Sequence, residues 1–327
     1  MTWRRKLMKR LVVCLLIVMM AVSSIFANGA QEQKSYITVG TAGAGGAFYP
    51  VGIAIASAIS NNVPNIEASA QVTGGAIENC SLVHNKEVDL GITMSGSAFQ
   101  AYSGKGTFKE AYPDLRVIFN GISMGTFHVV TLKKTGITKM TDLIGKNVVM
   151  GPAGGGAIVM AKAVWDAYGF SVDDVKPTYV SYSEGISALK DGKVDAVVVQ
   201  SAPPASAIQE LCATNGKNVV ILSVDDEHAA KITASAPYYA SRILSKDVYG
   251  TSEDVQVIYQ TIMLIASESM SEETAYNITK ACIEHAADIA ASEPTAKNFS
   301  AQNAAKNCPI PLHPGAEKYY KEVGLLK

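Results

Sequence analysis

Twice in this sequence a short β-branched run gives way to a glycine loop and then to an apolar, helix-like stretch. The first instance runs from Tyr36-Ile37-Thr38-Val39 through the loop Gly40 to Pro50 into Val51 to Ile59. The second runs from Lys146 to Met150 through Gly151-Pro152-Ala153-Gly154-Gly155-Gly156-Ala157 into Ile158 to Tyr168, which Gly169 stops. At a similar distance after each loop comes the same kind of strand, Val88-Asp89-Leu90-Gly91-Ile92 and Val194-Asp195-Ala196-Val197-Val198. Strands alternating with helices imply parallel α/β sheets with buried, Val/Ile-rich strands. Ligands of such sheets sit beyond the carboxyl ends of the strands, where helix N-termini aim free N–H groups at an anion. A duplicated unit therefore predicts two α/β lobes, each with one loop facing a cleft between them.

Further strands are expected at 66–72, 88–94, 115–119, 127–132, 178–182, 194–200, 219–224 and 255–266. Helices are expected at 77–84, 186–190 and 316–323. Ser271 is placed to cap another helix, whose apolar stripe runs through Ala275, Ile278, Cys282, Ala286 and Ile289.

The first 27 residues stand apart. Arg4, Arg5, Lys6, Lys9 and Arg10 precede an apolar core from Leu11 to Val22, and small residues follow up to Ala27. This is the pattern of a secretory signal peptide cleaved near Ala27, with a retained membrane anchor as the alternative. Its removal takes away five basic and no acidic residues, so the net charge falls from −1 to −6. An acidic mature chain is a poor nucleic-acid binder. The composition, 48% hydrophobic and 17% charged, is that of a globular protein. Cys80, Cys212, Cys282 and Cys308 are scattered with no CxxC spacing, and the five histidines show no ligand spacing. No metal and no cofactor is expected, and the cysteines are read as free thiols. His128 reads as packed or hydrogen-bonded, His313 as fixing a turn, and Asp89 and Asp195 as bracing turns.

Familiar nucleotide motifs fail. GxGxxG starting at Gly43 meets Phe48 where its last glycine belongs, and no Gly-Lys pair is followed by Ser or Thr. Gly121-Ile122-Ser123-Met124-Gly125 matches the nucleophile-elbow string, but a strand-like run follows where that motif needs a helix. The cleft reading instead selects loop residues Ala44, Gly45, Gly46 and Ala47 on one side, and Gly154, Gly155, Gly156 and Ala157 on the other. Tyr49 is assigned to the ligand and Phe48 to packing. Thr73, Gly74, Asn79, Ser95, Tyr182 and Gln200 lie at predicted element ends and complete the candidate set. Trp165, the only tryptophan after the signal segment, is expected to report closure by its fluorescence.

The stretches VGTAGAGGAFYPVG (39–52), VTGGAIEN (72–79), EVDLGITMS (87–95), TDLIGKNVVMGPAGGG (141–156), DGKVDAVVV (191–199) and LHPGAEKYYKEVG (312–324) together resemble the TAXI family of TRAP-transporter solute receptors. That resemblance implies a two-lobed type II periplasmic-binding-protein fold that closes on its ligand. It also implies a periplasmic location, a small carboxylate ligand such as glutamate or 2-oxoglutarate, and delivery to TRAP permease subunits driven by an ion gradient. The protein is expected to act as a monomer and not as an enzyme. By analogy, lobe 1 comprises 36–126 plus 267–327 and lobe 2 comprises 127–266, with the hinge strands near Phe127 to Thr131 and Thr261 to Ala266. The sequence departs from the family in its loops. Ala44, Ala47 and Phe48 stand where the family usually has hydroxyl-bearing residues, and Gly154-Gly155-Gly156-Ala157 replaces Gly-Ser-Gly-Thr. The ligand is therefore expected to be less polar than glutamate, or held through water. The rival readings are a secreted hydrolase using Ser123 and a ligand-sensing receptor without transport.

Overall fold

The computed structural model describes residues 34–43 and 45–327, together with Trp3. The signal-peptide expectation and Ala44 lie outside the described residues. No helix among the described residues is long and apolar enough to cross a membrane.

The chain from Tyr36 onward alternates as the loop units require. The first half runs β1 (Ser35–Gly40), α1 (Phe48–Asn62), β2 (Ile66–Gln71), α2 (Ala76–His84), β3 (Leu90–Met94), α3 (Ser95–Ser103) and β4 (Leu115–Leu132). Next come β5 (Asn147–Val149), α4 (Ala157–Ala167), β6 (Lys176–Thr178), α5 (Tyr182–Lys190), β7 (Ala196–Ser201), α6 (Ser206–Asn215) and β8 (Val219–Ile221). The chain continues through α7 (Asp226–Ser235), β9 (Ala240–Leu244) and β10 (Val255–Ser267). It ends in α8 (Glu272–Glu284), α9 (Ala286–Ser292), α10 (Ala301–Ala304) and α11 (Pro314–Glu322).

The strands form one mixed sheet in the order β2-β1-β3-β10-β4-β7-β5-β6, with β8 on β4 and β9 on β10. The duplication is visible in its register. β1 runs parallel to β3 with Val39 opposite Leu90, and β5 runs parallel to β7 with Val148 opposite Ala196. An aspartate braces each pair at the same place. Asp89 accepts from the Thr38 N–H at 2.7 Å, and Asp195 accepts from the Asn147 N–H at 2.8 Å. β3 and β7 are buried along their whole length, which is why both read as mostly apolar runs without strict alternation.

The two long strands join the halves. β10 lies antiparallel to β3 over 262–266 and to β9 over 255–259. β4 pairs with β10 from Leu115 to Thr126 and then with β7 from Thr126 to Thr131. The cores divide at the same place. Two apolar clusters draw on residues before 123 and after 261, with Ala202 the one exception. The other two lie wholly within 127–258. The apolar cores thus fall into two groups, divided where the long strands change partners.

Several expectations change. The segment 115–132 is one unbroken strand, not two, because Gly121 takes a positive φ of 70° within it and the ladder continues on both sides. The strand expected at 178–182 lies earlier, as β6, and ends at Thr178. Ser181 instead accepts from the Glu184 N–H and Glu184 returns to the Ser181 N–H, so a capping box starts α5 at Tyr182. Helices α3, α6 and α7 have no counterpart in the expected elements, and the stripe beginning at Ala275 breaks at His285 into α8 and α9. The Ser271 cap is present and accepts from the Thr274 N–H at 3.0 Å. His313 caps α11 by accepting from the Gly315 N–H at 3.2 Å.

His128, on β4, is fully buried, with Nδ1 against the Val199 carbonyl at 3.0 Å. Burial, more than the nearby Arg242 charge, lowers its pKa to about 4. The fold thus holds this imidazole neutral, and the stabilisation is complete above the unfolded value near 6.5. It is lost as pH falls from there toward 4, by about 3 kcal/mol in total. Urea unfolding across pH 7.5 to 4 should show this loss, and His128→Phe should flatten it. An unchanged slope in that variant would assign the pH dependence to other groups.

Candidate functional site

The N-terminal ends of four helices meet at one cavity of about 210 Å³. Their N-cap residues are Ala47 of α1, Gly75 of α2, Gly156 of α4 and Ser181 of α5, and all four line it. Three of these caps supply no side-chain hydrogen bond, which is what Ala and Gly at a cap position imply. The ends of the helices thus face the cavity as backbone, each with a partial positive charge. No charged side chain among the described residues lines the space. Its walls are otherwise apolar, with Ala42, Phe48, Ala76, Met94 and Pro152.

The polar lining is short: Thr73, Ser181, Tyr182 and Gln200. Thr73 Oγ1 is committed, donating at 2.8 Å to the Thr41 carbonyl and lying 2.6 Å from Asn79 Oδ1. Tyr182 donates its hydroxyl to the Gln200 carbonyl at 3.1 Å. Burial pushes the Tyr182 pKa up to about 12, so that hydroxyl stays neutral. Gln200 is different. It is 3% exposed, and neither its Oε1 nor its Nε2 has a partner among the described residues.

The lobes touch across the cavity mouth through backbone. The Gly154 carbonyl accepts from the Ile77 and Glu78 N–H groups of α2 at 2.9 and 3.2 Å. The Ala47 N–H donates to Ser201 Oγ at 3.0 Å, and the Ala207 N–H to the Gly45 carbonyl at 3.3 Å. A Cβ at Gly154 would lie 2.9 Å from Glu78 Cβ, and one at Gly75 would lie 3.5 Å from Gly155 Cα. The glycines therefore let two loops from opposite lobes lie against each other.

Of the candidate residues, Gly46, Ala47, Thr73, Gly74, Gly155, Gly156, Tyr182 and Gln200 come together on the cavity. Gly45 and Gly154 lie at the contact between the lobes and not on the cavity wall. Ala157 is buried inside α4, one residue past its cap. Tyr49 and Phe48 are placed the opposite way round from the expectation. Phe48 is buried against the cavity, whereas Tyr49 is 38% exposed and does not line it, because the helix begins at Phe48 and turns the next residue outward. Asn79 is a clasp. Its amide donates to the Gly40, Thr41 and Ile92 carbonyls at 3.2, 2.7 and 2.7 Å, tying the ends of β1 and β3. Ser95 is buried at the start of α3, 3.4 Å from Gln260 Oε1. Ala42, Gly43, Phe48, Gly75, Ala76, Met94, Pro152 and Ser181 were absent from the candidate set. Only Ser181 carried a readable signal, the Ser-x-x-Glu of its capping box.

One further expectation holds and another is corrected. Ser123 sits in the middle of β4 opposite Ile262, and its hydroxyl donates to the Thr295 carbonyl. The strand–turn–helix context of a nucleophile elbow is missing there. Trp165 is fully buried in the lobe 2 core, stacked on Phe170 at 5.3 Å, and is no direct reporter of the cleft. The four cysteines among the described residues are free, Cys80 and Cys282 being buried. No group of three or more His, Cys, Asp or Glu among the described residues could hold a metal ion.

A family model described as NMT1-like matches residues 39–324, nearly all of the chain after its first segment. The chain belongs to the NMT1-like family. Solved structures place this NMT1-like chain in the two-lobed type II fold of solute-binding proteins. PhnD1 from Prochlorococcus marinus (MIT 9301), solved with methylphosphonate, is 12% identical with a TM-score of 0.55, covering 89% of this chain and 99% of that one. A protein from Bordetella bronchiseptica RB50 is 16% identical with a TM-score of 0.52, covering 90% of each chain. The alkanesulfonate-binding protein SsuA from Xanthomonas axonopodis pv. citri, bound to MOPS, is 13% identical with a TM-score of 0.49, covering 88% and 84%.

Proposed function

We propose that this chain is an extracytoplasmic solute-binding protein that captures a small carboxylate and delivers it to a membrane permease. The observation that carries the reading is the meeting of four helix N-caps, three of them without side-chain caps, on a cavity lined by no charged side chain among the described residues. Such a site offers an anion partial positive charge and backbone donors, and offers a cation no counter-charge among the described residues. The only arginines after the signal segment, Arg116 and Arg242, lie elsewhere, Arg116 on Glu268 and Arg242 on Thr126. Ala42, Ala76 and Met94 favour an acid whose body is less polar than that of glutamate. The glycine-loop motifs support a TAXI-type receptor serving a TRAP permease. The apolar core after the basic amino-terminal run supports export to a periplasm. We take the lobes as 36–126 with 261–327, and 127–260, since β4 and β10 exchange partners at Thr126 and Tyr259 to Thr261. This moves the expected return crossing several residues earlier.

Mass spectrometry of small molecules released from the purified protein, followed by calorimetry on the stripped protein, tests the reading. A bound carboxylate of low polarity is the expected result. A cationic or neutral solute bound in its place would overturn the anion site.

A further inference from the structure

Resting on that carboxylate reading, we propose that Gln200 selects a ligand bearing a neutral hydroxyl beside its carboxylate, a 2-hydroxy monocarboxylate with a short apolar body. Gln200 is 3% exposed on the cavity wall, and both ends of its amide lack partners among the described residues. Its backbone is fixed opposite Phe127 in the sheet, and its carbonyl takes the Tyr182 hydroxyl. The free side-chain amide offers one acceptor, Oε1, and two donors on Nε2. Exchanging the two amide atoms leaves the same need. A buried amide left this way is costly, so its partners come from whatever fills the cavity.

The carboxylate of the ligand accepts from the helix ends and from Nε2. Oε1 needs a donor as well, and a carboxylate has none. A 2-oxo acid has none either. An ammonium group would donate, but it would bring a positive charge among four helix N-termini with no carboxylate lining the cavity. Glu78, beside the rim, is exposed and already accepts from the Gly74 N–H at 3.0 Å. A hydroxyl satisfies Oε1 without that charge. The small volume and the Ala, Met and Phe walls leave space for a short hydrocarbon chain and nothing for a second carboxylate to pair with.

The test is calorimetry on the stripped protein with four matched acids: 2-hydroxybutyrate, 2-oxobutyrate, butyrate and 2-aminobutyrate. 2-Hydroxybutyrate should bind at least tenfold more tightly than each of the others, because each of them leaves Oε1 unpaired or adds an uncompensated charge. Gln200→Leu should bring 2-hydroxybutyrate and butyrate to within threefold of each other, and Gln200→Met is the second variant should the first unfold. Equal affinities in the wild-type protein, or a hydroxyl preference that survives both substitutions, would overturn the role of Gln200 while leaving the carboxylate site standing. Binding of none of the four by folded protein would overturn both readings.

Discussion

Replacing Gly156 by leucine should leave both lobes folded and hold them apart. Gly156 has an ordinary helical φ of −66°, so a side chain strains no backbone there. A Cβ at this position would meet Gln200 Oε1 at 3.1 Å on its own lobe, and Ala76 Cβ and Met94 Cγ at 3.2 Å on the other. Three more carbons have no room between these walls once the lobes meet. The closed state depends on contacts made to both lobes at once, and a wedge removes them together. The radius of gyration from small-angle scattering should exceed that of the ligand-loaded wild-type protein. Affinity for the tightest-binding carboxylate should fall at least 100-fold, about 2.7 kcal/mol. Urea midpoints should stay near the wild-type value. Affinity within threefold of wild type would show that closure does not bring these loops together.

Asn79→Leu should act in the opposite way, on stability before binding. The side chain has no exposed surface and holds three backbone carbonyls from β1, the loop after it and β3, while its own carbonyl lies 2.6 Å from the Thr73 hydroxyl oxygen. Leucine has similar volume but no polar atom, so it strands buried acceptors at the end of a parallel strand pair. Each stranded group costs about 1–3 kcal/mol, and we expect a loss of about 3–5 kcal/mol for the set. The loss should appear as a lower urea midpoint. Hydrogen exchange should quicken in 36–126 and leave 127–258 protected. A loss below about 1 kcal/mol would mean that the loop rearranges to satisfy those carbonyls by itself.

These residues show what the sequence could and could not disclose. The duplicated strand–loop–helix pattern was legible because it depends on local signals: β-branched runs, glycine clusters and aspartates before buried strands. Asp89 and Asp195 were expected to brace turns and instead brace the parallel strand pairs, through the N–H groups of Thr38 and Asn147. Gly46, Ala47, Gly155 and Gly156 were found because their position beyond parallel strands fixes which way they face. Asn79 was misassigned because a polar residue near a strand end can face the ligand or the backbone, and only the fold decides which. Phe48 and Tyr49 exchanged roles because α1 begins three residues before its apolar periodicity does. Met94 ends a buried strand, and nothing local distinguishes it from the rest of that strand. Helices α6 and α7 lie in stretches whose apolar positions are sparse, and tertiary packing determines them more than propensity does.

The strands that join the lobes also set an order of assembly. Everything in the lobe 2 cores falls within one continuous stretch, 127–258, so that lobe has all its pieces once this stretch is free. Lobe 1 does not. Its sheet needs β10 between β3 and β4, and its core needs α8 and α11. A chain delivered from its amino terminus therefore presents β1, β2 and β3 early, with the β3 edge unpaired until residues 262–266 arrive. In that interval β3 is an open, largely apolar edge, the kind of surface to which chaperones and other chains adhere. Slow delivery of the last quarter of the chain should thus endanger the half that emerged first.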